Sequence, residues 1–186
     1  MGVYLAVGLT IAARLSAAAL ARAKISEQEI IEEIDQRGYF STNLYNVRTI
    51  EDTIEFQLKE NLFQQHLLPL LERLYPALYE PDPDSRYPQV LATLNATPAT
   101  EWLTLAEEKR FAEFQKLNSG RYIRHHLNNQ RWYEPILIDC DVLILSLEGK
   151  ILMEEYGRQF MFFQRCISHT FSDFPLVNAV GVFITR

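Results

Sequence analysis

Val3, Leu5, Val7, Leu9 and Ile11 alternate with Tyr4, Ala6, Gly8 and Thr10, and a two-residue period is that of a strand whose two faces meet different surroundings. A first strand is therefore predicted at the N-terminus. The densest apolar stretch comes much later, between Ile136 and Leu147, interrupted only by polar residues such as Asp139 and Asp141. Its β-branched residues, Ile136, Ile138, Val142 and Ile144, favour a strand, and Glu148-Gly149 has the form of a two-residue hairpin loop. The expectation is a buried central strand, a tight turn and a partner strand, with the rest of the chain organised around this hairpin.

Other segments follow a helical period. Ala17 to Ala23 begins one helical stretch, and Ser26 with Glu29 forms a capping box that opens a second. That helix is expected to reach about Gln36, with Ile30, Ile31 and Ile34 on its apolar side and Gly38 closing it in the left-handed region. Leu44–Arg48 and Thr53–Leu58 read as strands separated by Glu51-Asp52. Leu62, Leu67, Leu70, Leu71, Leu74 and Leu78 mark an amphipathic segment, in which Pro69 predicts a kink or a second helix start. Residues 79–88 carry three prolines and no periodicity, so they read as a loop. Thr97-Pro98 opens a helix expected to pass Trp102, Leu105, Phe111 and Phe114 and to stop at Asn118-Ser119-Gly120. Residues 121–130 read as an extended edge. Tyr156, Phe160, Phe163, Ile167 and Phe171 then define one face of a further helix, and Leu176–Thr185 reads as the last strand. Ala6–Ile11 and Ala179–Ile184 echo one another (AVGLTI and AVGVFI), which predicts two strands in similar environments.

These elements add up to an α+β fold: a mainly antiparallel sheet of N-terminal strand, central hairpin and C-terminal strand, covered on one face by helices. At 186 residues the chain is expected to form one domain over residues 1–186, with a helical middle section at about 60–118. A net charge of −6 opposes non-specific attraction to nucleic acid or anionic lipid. No apolar run is long enough to suggest a membrane span. Cys140 and Cys166 form no CxxC pattern, and the apolar N-terminal run has no basic lead and is broken by Arg14. A cytoplasmic protein with reduced thiols is expected.

Two constellations could carry chemistry. Asp139 and Asp141, at i and i+2 of a strand, share a face and could hold a metal ion or divide acid and base roles, which gives a metal-assisted hydrolase as the alternative function. The string Ile138–Leu143 resembles the first motif of haloacid dehalogenase-like phosphatases over about six residues. The apolar run continues past Asp141, however, and the Gly or Thr that usually follows that motif is missing, so the resemblance is not carried further. A buried carboxylate pair without a metal must sit at an exposed strand end or beside a cation. The second constellation is Arg121–Tyr133, RYIRHHLNNQRWY, with three arginines and two histidines and no acid. Arg121, Tyr122, Arg124, His125, His126, Arg131, Trp132 and Tyr133 are its candidate binding residues, suited to an anionic partner. His125 and His126 point to opposite faces in a strand, which spoils them as a chelating pair, and His66 and His169 sit in apolar helical contexts as structural residues. The acids of Glu27–Asp35 suit the solvated face of a helix. Neither GxGxxG nor GxxxxGK occurs. With no assembled catalytic set and no cofactor motif, the leading expectation is an interaction or regulatory protein rather than an enzyme. It would bind a protein partner, the simplest being a second copy of itself, and no cofactor. A small-ligand domain with an aromatic pocket is a further alternative; nucleic acid is disfavoured.

Overall fold

The N-terminal strand β1 (Tyr4–Ser16) is the element on which the sheet is assembled. One of its edges pairs with β5 (Ile136–Lys150) from Tyr4 to Arg14. Its other edge is divided: Tyr4–Leu9 pair with β6 (Val180–Thr185), and Ala12–Ser16 pair with β3 (Thr53–Leu58). Strand β2 (Tyr45–Ile50) lies outside β3 and β4 (Lys116–Ile123) outside β5, giving the order β2-β3-β1-β5-β4 with β6 beside β1. All five pairings are antiparallel. This computed structural model describes residues 4–78, 84–108, 111, 114–123, 136–150, 156–170 and 172–185, and the fold class read from the pattern, an antiparallel α+β sheet with helices, is the one it shows.

Helices α1 (Ala17–Ala23) and α2 (Glu27–Gln36) follow β1 directly. The β2–β3 turn caps the first of them. Glu51 takes a left-handed φ of 52° there, and the Asp52 carboxylate accepts from Ala18 N–H at 2.8 Å and from the Ser16 hydroxyl at 3.1 Å. In α2 both bonds of the capping box form: Ser26 N–H donates to Glu29 Oε2 at 2.7 Å, and Glu29 N–H donates to Ser26 Oγ at 3.2 Å. Ile30 and Ile34 on its inner face are fully buried, each contributing about 1.5–3 kcal/mol relative to exposure. Gly38, at φ 64°, ends the helix as expected.

Several expectations are corrected. Glu148-Gly149 is not a turn. Strand β5 continues through it to Lys150, because β1 offers an edge that far, and the glycine falls at a bulge where Tyr4–Ala6 oppose Leu147–Lys150. Strand β5 pairs there with β1, and residues 151–155, where the partner strand of the hairpin was expected, lie outside the described residues. Pro69 neither ends nor divides its helix: α3 (Glu60–Leu78) runs through both Pro69 and Pro76. The carbonyls that lose their helical donor to the two prolines, those of Gln65 and Glu72, belong to exposed residues. Inside the expected loop, Tyr87 begins α4 (Tyr87–Ala96), with Pro88 in its first turn and Tyr87, Val90 and Leu94 buried at helical spacing. The helix expected to reach Leu117 stops earlier. Thr97 caps the end of α4, and α5 spans only Trp102–Glu107, with Asn118-Ser119-Gly120 inside strand β4. The helical middle therefore ends before β4. The final strand begins at Val180, after a 3-10 turn over Pro175–Ala179, and the last helix, α6, spans Tyr156–Thr170.

Helical cover of the sheet varies along it. In β3 only Ile54, Phe56 and Leu58 are buried, alternating with half-exposed Thr53, Glu55 and Gln57. The middle of β1, Leu5–Ala13, and of β5, Cys140–Leu145, is buried on both faces.

Candidate functional site

The polar residues of the inner strands meet on one face of the sheet. Arg14 stands opposite Glu55 of β3 and Asp139 of β5, while Arg48 of β2 also stands opposite Glu55. Residues opposite one another in antiparallel strands share a face, so a row of charge crosses the sheet. Arg48 contacts Glu55 at 2.6 Å, Glu55 accepts from Arg14 Nε at 3.3 Å, and Arg14 Nη2 donates to Asp141 Oδ2 at 2.9 Å. Lys116 of β4 lies 3.7 Å from Asp141 and 3.4 Å from Glu107 at the end of α5. Beside them Asn118 Nδ2 donates to Asp139 Oδ1 at 2.8 Å.

The electrostatics follow from this alternation. Hydrogen bonding from Arg48, assisted by Arg14, holds the Glu55 carboxyl below its usual range, against the opposing effect of its own desolvation. The Asp141 hydrogen bond likewise raises the Arg14 guanidinium. Both groups stay charged near neutral pH. A row in which each carboxylate already faces a cation leaves Glu55 a weakened base and suits cross-strand fixation better than proton transfer.

The bulge in β1 sets where this row begins. Between Thr10 and Ala12 the register against β5 shifts by one residue, so Leu9 shares a face with Leu143 and, past the bulge, Arg14 shares that same face with Asp139 and Asp141. An apolar strip passes into a polar one without any break in the strand. On this face Ile11 and Gln57 line a cleft of about 300 Å³ together with Phe63 of α3 and Leu103 of α5. Helices therefore reach this face of the sheet just beyond the ionic row.

The structure places the predicted residues as follows. Asp139 and Asp141 do share a face, and Asp141 sits beside cations, as a buried carboxylate requires. Among the described residues no group of three or more His, Cys, Asp or Glu side chains is arranged to hold a metal ion. Arg121 and Tyr122 belong to the end of β4, opposite Ile138 and Leu137. Arg124, His125, His126, Arg131, Trp132 and Tyr133 lie outside the described residues. Cys140 is buried and His66 is half-buried. Arg14, Arg48, Glu55, Lys116 and Asn118 were not among the expected site residues. Their signal was present in Arg14 itself, a charge inside an otherwise apolar strand that demands a carboxylate nearby. No family model matches the chain, and no curated protein or solved structure matches it.

Proposed function

We propose that the protein is an interaction or regulatory protein that binds an anionic protein partner through the basic, aromatic stretch Arg121–Tyr133. One observation carries this reading: the stretch starts on an outer strand. Arg121, Tyr122 and Ile123 close β4, which among the described residues pairs with β5 alone. The nearby acids are committed elsewhere, since Asp141 faces Arg14 and Lys116 and Asp139 accepts from Asn118. Arg121 occupies the alternate register, opposite Ile138. A cationic run that begins on a sheet edge, on a chain of net charge −6, offers one local site for a negatively charged surface.

Replacing Arg121, Arg124 and Arg131 together by Gln tests the proposal. Stability should change by no more than about 0.5 kcal/mol. Capture of a protein partner from cell lysate should be lost in the variant, and wild-type capture should weaken between low and moderate salt. Equal capture by both proteins would remove the stretch from the site, and loss of the bound material on nuclease treatment would replace the protein partner by nucleic acid. A second copy as partner would appear as salt-sensitive self-association of the purified wild type in sedimentation.

A further inference from the structure

A cleft of about 470 Å³ lies between the end of α2, the loop that follows it, α6 and β6. Val180, Gly181 and Val182 all line it. Ser41 and Asn178, which bond to one another just ahead of the strand, line the cleft with them, so it runs along the edge of β6 on the side of the loop after α2. This edge is the outer one: β6 pairs with β1 on its other side, and among the described residues no backbone group bonds to it. Pairing of this kind starts just ahead of the strand, where Ser41 N–H donates to the carbonyl of Asn178 at 2.9 Å. It then stops, leaving a slot three residues long, about 10 Å at about 3.3 Å per residue.

The wall of the slot carries a charge. Asp35 lies one residue from the end of α2, where the helix dipole disfavours an acid, and the last turn contains no basic residue. Its carboxylate is fixed by Thr42, whose N–H donates to Oδ1 at 2.8 Å and whose hydroxyl donates to Oδ2. No described cation forms an ion pair with it. A held, exposed carboxylate at the negative end of a helix is complementary to a cation, and an unpaired strand edge is complementary to an extended backbone.

We propose that this cleft is a second docking site, which takes an extended peptide segment as an added strand on the outer edge of β6 and receives a basic side chain against Asp35. None of the residues that line the cleft belongs to the Arg121 stretch, and its test leaves that stretch intact.

The probe is a fluorescent, end-blocked hexapeptide of alternating valine and threonine with one central lysine, titrated by anisotropy into the wild-type chain. Saturable binding is expected. The same peptide N-methylated at alternate backbone positions, or with glutamate in place of lysine, should bind at least tenfold more weakly. Asp35→Asn, which keeps an acceptor for Thr42, should weaken the lysine peptide about tenfold and leave the N-methylated peptide unchanged. A thermal melt establishes that the variant is folded. If the variant melts early, amide exchange on the wild type decides instead: bound lysine peptide should slow the amides of Val180–Val182. Equal binding of the N-methylated peptide, equal binding to folded Asp35→Asn, or no saturable binding would each overturn the proposal. So would self-association that blocks the peptide, which would give the slot to a second copy.

Discussion

At Gly8 the packing leaves no room for even one methyl group. A Cβ built there would lie 2.4 Å from Val142 Cγ1 and 3.1 Å from Phe183 Cδ2, both buried side chains. The paired position is Gly181, so the two echoing segments cross at their glycines and neighbouring residues of β5 and β6 fill the space. Gly8→Ala should therefore destabilise the fold by about 1–3 kcal/mol, as overpacking in a close-packed core does. Gly157, with nothing within 4 Å of an added Cβ on helix α6, is the control. Ala there should be neutral or stabilising by up to about 1 kcal/mol through helix propensity. Urea unfolding of the two variants checks both signs. Equal midpoints for Gly8→Ala and wild type would mean that Val142 and Phe183 yield at no cost.

Between strands, the ionic row does what the β2, β3 and β4 sequences alone do not. Asn118, Ser119 and Gly120 are poor strand formers and a good helix stop, yet they lie in β4, because Lys116 and Asn118 place their polar ends on Asp141 and Asp139. Tertiary pairing overrides local preference there, which is why the strand was not legible. By contrast, the capping box of α2, the alternation of β1 and β3 and the Glu51-Asp52 break were legible, since each depends on residues within one element or one turn. Helix α4 was hidden by reading Pro88 as loop punctuation, although Tyr87, Val90 and Leu94 already had a helical period. The Asp pair was legible as a shared face, whereas its partners lie 21 or more positions away in sequence, on other strands, and only some cation could be anticipated. Glu55 carries the pH consequence of the row. Its folded value lies below the ordinary 4.5, so it contributes stability that is fully present above pH 4.5 and is lost as the pH falls through the folded value. Glu55→Gln should accordingly be less stable than wild type at pH 7, and the two stability curves should converge below pH 4.5. Parallel curves across that range would show that Glu55 titrates alike in folded and unfolded chains.

For the molecule as a whole, the divided edge of β1 makes a prediction about cooperativity. Because β5 binds one side of this strand while β6 and β3 share the other, its middle cannot lose its bonds without separating the two ends of the chain from the sheet. Leu5–Ala13 are also buried on both faces, so opening them exposes the core to water. Strand β2 is the opposite case: it pairs with β3 alone among the described residues, and Asn46–Ile50 are all exposed. Local opening free energies range from near zero at such edges up to the global value in doubly paired strands. Native-state amide exchange should thus find the slowest amides in the middle of β1 and in Cys140–Leu145 of β5, with a free energy equal to that of global unfolding by denaturant. The amides of β2 should exchange through smaller openings, with little denaturant dependence. If the β1 amides instead exchange as fast as those of β2, the two halves of its divided edge open independently, and the strand is not the common support that its pairing implies.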